Sequence, residues 1–433
     1  MNNKYFYFNF AASIFLGVFL ILQDSILAKH LGISAAQDEF QIAYLIVTTL
    51  WNAISGGAYI SVVVPVYMMC LSKTNAEQSL SVINQLLTKC LFFVLLITAI
   101  IFLFSAPIYK LFLHDEQRAI QAAIVLKINI LSLPVQLLSS HIIAILYCNY
   151  KNYLGVVSAT LVPLTTCLIG SLYALNKNQA ACLVLVGCII QLLFLLLIMH
   201  KIKSPVLAKS TDPTFKNTIQ TKFYTDFIQV ALSLLLLAAT NWLLMIFALR
   251  LSEGAAASFA YALKPIWLIG AFLTTITSSF LLTKYANTNT HLSKKILYQH
   301  LAKDLGLMLT FSFFIIFFWL IINTIFYHYL FANSLLTLNE QAKIIGLNKL
   351  AIFQLPIYMC GIIAFRVLNG LRKNIWITIA TSLSFLMTLG LLATNLSSTL
   401  YGLVIVSLLA NGAWGLLLVL VVYIQGSRKH VNH

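Results

Sequence analysis

Long apolar runs alternate with short polar interruptions along the whole chain. Each run approaches or exceeds the roughly 20 residues a helix needs to cross the hydrocarbon core of a bilayer. Twelve spans are predicted, near residues 6–23, 41–70, 86–109, 122–147, 153–175, 180–200, 224–249, 255–283, 303–329, 344–366, 375–395 and 399–424. The segments of about ten alternating residues that a transmembrane barrel requires are missing, so the spans are helical. The first run continues without a small-residue cleavage site and reads as a span, not a signal peptide.

The longest polar connection carries five lysines and follows the sixth span. It predicts an N-terminal six-helix lobe (1–200), a cytoplasmic Lys-rich linker (201–223) and a C-terminal six-helix lobe (224–433). Six spans return the chain to its starting side, so the halves have parallel topology. A faint trace of duplication supports this. Ala28–Tyr44 is similar to Ala248–Ala262, with Leu31 matching Leu251, Ala36 matching Ala256 and Phe40 matching Phe259.

Composition narrows the class. Of 433 residues 61% are apolar and 9% charged, against about 45–50% and 25% in soluble domains. That excludes an ordinary soluble enzyme, a disordered chain and a disulfide scaffold. The net charge of +16 lies in short loops, without a basic stripe interleaved with aromatics, so no nucleic-acid partner is expected. Of the 27 Lys and Arg, eighteen fall on the N-terminal side of the membrane and seven opposite, while Lys127 and Lys264 lie within spans. The positive-inside rule then puts both termini in the cytoplasm. Seven cysteines without a CxxC pair read as small packing residues, and no metal or cofactor is expected.

The chain has no phosphate-binding G-x-x-x-x-G-K-[ST] loop, no HExxH and no GxSxG. A secondary transporter is expected rather than an enzyme, driven by an ion gradient, the membrane potential or the substrate gradient. Charges inside a bilayer cost at least about 2.5–3.5 kcal/mol and usually face a cavity. Lys264 is the sharpest candidate, because Pro265 beside it removes a backbone donor and kinks the helix. A cation at a broken helix suits an anionic substrate; the alternative is snorkelling to the interface. Lys127 and His141 in span four are further candidates, with snorkelling and packing as their competing readings. Asp24 and Asp38–Glu39 bracket the outer loop after span one, where a solvated loop also explains them. Gly56–Gly57 would let span two bend.

Asp24-Ser25-Ile26-Leu27-Ala28-Lys29-His30-Leu31-Gly32, then Asp38-Glu39-Phe40, then Gly57-Ala58-Tyr59 through Val64-Pro65-Val66 form an ordered block. It resembles the MurJ (MviN) lipid II flippase family, which shows R-D-x-x-x-A-x-x-F-G, D-A-F, E-G-A-F and V-P in this order. Ala144-Ile145-Leu146 leading to Asn152, and Tyr261-Ala262-Leu263-Lys264 for the family's Y-A-D-R, extend the match. The resemblance implies the MOP superfamily and a MATE-like fold of two six-helix lobes around a central cavity. It also implies alternating access in the bacterial inner membrane, with an undecaprenyl-pyrophosphate-linked sugar precursor as substrate, surrounding membrane lipids and a coupling ion as an open question. On this reading Lys264, Lys29, Asp24, Asp38 and Lys127 are the substrate-binding candidates.

The sequence departs from the family where cavity arginines are expected: Gly17 and Gln23 in span one, Trp51 and Asn52 in span two, with Gly56 for a glutamate. Lys264 keeps the charge of the span-eight arginine but loses its bidentate fork. Two further C-terminal helices typical of the family are not expected here. Another MOP transporter (a polysaccharide-unit flippase or cation-coupled exporter), or a transport-inactive paralogue, stays open.

Overall fold

A computed structural model describes residues 3–71, 76–110, 115–149, 151–202, 213–270, 294–332, 334–371 and 373–427. All regular structure among them is helical. The helices are α1 (Asn3–Leu31), α2 (Ala35–Leu50), α3 (Ile60–Leu71), α4 (Ala76–Lys110), α5 (Glu116–Ile130), α6 (Ser132–Cys148), α7 (Asn152–Leu172) and α8 (Lys177–Ile202). After them come α9 (Pro213–Leu251), α10 (Ala255–Gly270), α11 (Lys294–Leu330), α12 (Leu338–Ala351), α13 (Leu355–Gly370), α14 (Asn374–Leu392) and α15 (Leu400–Ser427). They provide eleven segments long and apolar enough to cross a membrane, with α10 as a shorter twelfth among the described residues. The end of the expected eighth span, 271–283, lies outside them.

Several helices outrun their apolar cores. α5 begins at Glu116 because the Asp115 side chain accepts from the Gln117 and Arg118 amides. α12 begins at Leu338 because Thr337 and Glu340 cap each other reciprocally. Each cap satisfies donors that the first turn cannot pair itself. At the other end of the same logic, α1 runs through Asp24 to Leu31 before the chain turns at Gly32, whose φ of 59° suits only glycine. Ser34 then caps α2 by accepting from the Gln37 amide. Asp24 and Asp38–Glu39 therefore do not bracket a solvated loop. All three are buried in helices, and only residues 32–34 connect α1 to α2.

The duplication is deeper than the N-terminal segments suggest. Gly254, with φ of 75°, turns the chain between α9 and α10 and lies 222 positions after Gly32. The same spacing relates the caps Asp115 and Thr337, the prolines Pro134 and Pro356, and Lys151 and Lys373 before α7 and α14. The Lys151 amide donates to Leu146 O at 2.9 Å and the Lys373 amide to Leu368 O at 2.8 Å. Both prolines follow a break, at Leu131 between α5 and α6 and at Ile352–Gln354 between α12 and α13. A proline cannot donate to the carbonyl four residues back, so a helix breaks there.

The chain divides into two compact units, Met1–Ala238 with Asn333–Leu335, and Ala239–Ala332 with Leu336–His433. In the first, α5 packs on α2, α4 and α8, while α6 packs on α3, α4, α7 and α8, so broken span four is central. Leu126, Ile130, Leu133 and Leu137 along it are fully buried. In the second, α15 packs on α12, α13 and α14. Outward faces are apolar, with Phe92, Leu103 and Phe104 on α4 and Phe313, Phe317 and Ile321 on α11 exposed. A lipid environment favours such faces.

Span two is interrupted by π-helical turns at Trp51–Tyr59. A β-carbon on Gly57 would collide with the Asn52 carbonyl oxygen and lie 2.6 Å from Leu234 Cδ1. One on Gly56 would lie 2.6 Å from the Trp51 ring. The two glycines thus permit the wide turn. Gly57→Ala is expected to destabilise the protein by about 1–3 kcal/mol through overpacking, read as a lowered thermal midpoint in detergent.

Candidate functional site

Lys264 lies on α10 immediately before Pro265, which leaves the Tyr261 carbonyl without its helical donor. The structure supplies a replacement: the Tyr327 hydroxyl of α11 donates to Tyr261 O at 2.9 Å. The next carbonyl, Ala262 O, accepts from Asn348 Nδ2 of α12 at 2.6 Å. Asn348 Oδ1 in turn accepts from Trp319 Nε1 at 2.7 Å and from Asn323 Nδ2. Tyr327, Asn323 and Asn348 are buried, where an unpaired carbonyl would be costly. Phe331 packs edge-on against Tyr261 and stacks on Tyr327.

This network pairs the backbone carbonyls of α10 beside the proline. Leu263 and Ile266 are buried, whereas Lys264, Trp267 and Leu268 are half-buried. Residues three and four apart share one helix face, so the least enclosed face of α10 carries the cation. Sequence patterning identified Lys264 and Pro265 but not Tyr327 or Asn348. Asn348 had one available signal, a buried amide on an otherwise apolar helix stripe.

The N-terminal unit handles its charges differently. Asp38, in the first turn of α2, and Glu39 after it are buried. Arg118 of α5 reaches both, with its guanidinium 3.6 Å from Asp38 Oδ2 and its Nε 3.2 Å from Glu39 Oε1. Lys177, at the start of α8, pairs with Glu39 and donates to Gln121 Oε1 at 2.9 Å. Two carboxylates and two cations tie three helices together. Asp38 is held within this cluster, and Arg118 and Lys177 are the partners that spacing alone could not assign.

Three other candidates lie apart from it. Asp24 is buried on α1 beside Gln23, whose Nε2 donates to Thr166 Oγ1 of α7 at 3.4 Å. Lys29 is exposed in the last turn of α1, where a cation complements the helix dipole. Its neighbour His30 bonds Gly170 O of α7 through Nε2 at 2.8 Å. Lys127 is half-buried on α5 with Nζ 5.5 Å from the centre of the Phe102 ring, a cation–π placement. His141 is buried between Tyr59 and Asn84: Tyr59 Oη lies 2.9 Å from Nδ1, and Asn84 Oδ1 lies 3.0 Å from Nε2.

The family model described as lipid II flippase MurJ matches residues 27–332. The chain belongs to the MurJ family. No curated protein sequence matches it. Among solved structures it is similar to a lipid II flippase MurJ in an inward closed conformation, at 18% identity and a TM-score of 0.74, covering 96% of this chain and 88% of that one. An inward-facing MATE multidrug transporter of the MOP superfamily matches at 14% identity and 0.73, over 95% and 94%. A MOP superfamily transporter from Pyrococcus furiosus matches at 15% and 0.67, over 97% and 96%. These likenesses show a shared fold of MurJ and MATE type.

The stretch matched to the MurJ family contains Lys29, Asp38, Lys127 and Lys264, together with Arg118, Lys177 and Tyr327. Asp24 precedes it and Asn348 follows it. The MurJ-type chain described here thus braces its kinked span partly from outside the matched stretch.

Two measurements test these roles in the detergent-solubilised protein. Tyr327→Phe strands the Tyr261 carbonyl and is expected to cost about 1–3 kcal/mol of unfolding stability. Arg118→Ala leaves Asp38 and Glu39 with one cation between them and is expected to cost about 3 kcal/mol, seen as a drop in thermal midpoint. Arg118→Lys should restore part of that loss.

Proposed function

We propose that the protein is a flippase of MurJ type that moves an undecaprenyl-pyrophosphate-linked cell-wall precursor across the bacterial inner membrane by alternating access. Family membership sets the class. The observation that carries the substrate reading is Lys264, a cation on the least enclosed face of a proline-kinked helix whose freed carbonyls are already satisfied. Its side chain stands on a half-buried face of that helix. A lysine offers a diphosphate a point charge instead of a bidentate fork.

On this reading the repeat-related halves, 1–200 and 224–433, are the two lobes, joined by the Lys-rich segment 201–223. Both termini lie in the cytoplasm, as the eighteen-to-seven distribution of Lys and Arg supports. Asp38 positions α2 within the N-terminal lobe through Arg118. Asp24, Lys29 and Lys127 are secondary contacts for the lipid-linked headgroup or for anionic membrane lipids. A gradient or the membrane potential supplies the work.

A second reading follows from Gly17, Gln23, Trp51 and Asn52, which stand where the family's cavity arginines are expected. It assigns the chain to another MOP-type substrate carrying less negative charge. Expression in bacteria depleted of their own lipid II flippase separates the two. The parent chain and Lys264→Arg are expected to restore growth, and Lys264→Ala to lower it at least tenfold in plating efficiency, about the effect of losing one charge-assisted contact. No rescue by the parent, with membrane expression confirmed, would favour the second reading.

A further inference from the structure

Span four, the central span of the N-terminal unit, breaks at Leu131. Pro134 has no amide hydrogen for the Ile130 carbonyl, so that oxygen at the end of α5 loses its helical donor. Asn129, Ser132, Gln136 and Ser139 follow one another at steps of three and four residues, and so lie along one face of the broken span. Ser132 Oγ donates to Asn129 O at 2.7 Å. Ser132 and Gln136 both hydrogen-bond the Cys188 thiol of α8, the latter through Nε2 at 3.3 Å. Asn129, Ser132, Ser139 and Cys188 are at most 2% exposed.

Four of the polar atoms on this face are left over. Asn129 Oδ1 and Nδ2, Gln136 Oε1 and Ser139 Oγ are buried and make no hydrogen bond within the protein. Such an atom is costly in a low-dielectric interior, and more so within a bilayer. The repeat-related break in span ten is built without that cost. There Ala351 stands for Asn129 and Gly361 for Ser139, each 222 positions on. Gln354, the counterpart of Ser132, accepts from Asn411 Nδ2 at 2.7 Å and from Ser407 Oγ at 3.3 Å. Among the described residues from 338 to 365, no buried side-chain oxygen or nitrogen lacks a partner. One break is filled by its own side chains, and the other is left open.

The leftover atoms select a ligand. Asn129 Oδ1, Gln136 Oε1 and the Ile130 carbonyl, with the Ser139 hydroxyl, form a set rich in acceptors. They gather at the C-terminal end of α5, where the helix dipole favours positive charge. Freed carbonyls at the ends of half-helices suit small monovalent cations. Divalent ions demand carboxylates, and the set contains none. The carboxylates of α2, Asp38 and Glu39, are held by Arg118 and Lys177. Lys127, two residues before Asn129, lies about 200° round the helix, with Nζ against the Phe102 ring of α4.

We propose that the break in span four is a binding site for a monovalent alkali cation, Na+ or K+, with Asn129, Gln136 and the Ile130 carbonyl as its ligands. Neutral oxygens there replace part of the ion's hydration shell, and the Ser139 hydroxyl or a retained water completes it. The bound ion ties the end of α5 to α6 across Leu131. It also satisfies the oxygens that the side chains of this break leave open. As a coupling ion for transport it rests on the flippase reading; as a binding site it does not.

The test uses the full chain in detergent, purified without alkali salts and without a lipid-linked substrate. Its thermal midpoint is followed while NaCl or KCl replaces N-methylglucamine chloride at constant ionic strength. A saturable rise is expected, and the salt that saturates at the lower concentration identifies the ion. Asn129→Ala, which installs the residue found at the second break, should abolish the rise. Asn129→Asp should lower the half-saturating concentration about tenfold, the gain of a charged over a neutral contact. An amide that only packs, or one that only holds water, gives neither response. A wild type indifferent to both salts overturns the proposal and leaves buried water as the occupant. A rise that both variants leave unchanged overturns it as well. Should Asn129→Ala fail to fold, an unchanged half-saturation in Asn129→Asp overturns it alone. Because no substrate is present, failure here is distinct from failure to rescue a flippase-depleted strain.

Discussion

A helix that breaks inside a bilayer has no water to satisfy its freed backbone groups, so the protein must supply every substitute donor or acceptor itself. That constraint organises the structure around its interruptions. At Pro265 the missing amide is replaced by a tyrosine hydroxyl from α11, and the next carbonyl by an asparagine amide from α12. Once those carbonyls are paired, the backbone beside Lys264 is satisfied within the protein. The backbone beside this candidate cation is therefore completed by uncharged residues more than sixty positions away.

The two units solve the problem of buried charge in opposite ways. In the N-terminal unit, Asp38 and Glu39 are neutralised by Arg118 and Lys177, and four charges become a tie between three helices. Replacing an ion cluster by apolar side chains of similar volume often costs little, whereas removing one member costs a great deal. Such a cluster specifies which helices meet. In the C-terminal unit the polar network is uncharged and serves the backbone, leaving the cation of Lys264 on a half-buried face.

The repeat explains why the breaks recur. Positions 222 apart carry equivalent caps before α5 and α12, equivalent prolines after the breaks in spans four and ten, and equivalent amide-to-carbonyl bonds before α7 and α14. The side chains that stabilise these shared backbone features have diverged. Ser132 closes the first break by donating to Asn129 O at 2.7 Å, while its counterpart Gln354 accepts from Asn411 Nδ2 at 2.7 Å. One duplicated scaffold thus carries different internal chemistry in its two halves.

Much of this was legible in the linear pattern. The length of the apolar runs dictated helical spans, because only a helix pairs its own backbone over that distance in lipid. Lys264 beside Pro265, and the block from Asp24 to Val66, pointed to the transporter class and the family. Helix ends were less legible, since Asp115 and Thr337 extend α5 and α12 beyond their apolar windows, and α1 carries Asp24 into a buried position. The partners of Asp38, Glu39, His141 and Lys264 were not legible at all. Hydrophobic periodicity records which face of a helix is apolar, but a buried polar group is stabilised by whichever helix packs beside it. The sequence by itself determined the spans, their repeat and the cations inside them. Only the tertiary structure decided that Arg118 would meet Asp38 and that Tyr327 and Asn348 would pair the carbonyls of Tyr261 and Ala262, because pairing across helices follows from packing and not from spacing along the chain.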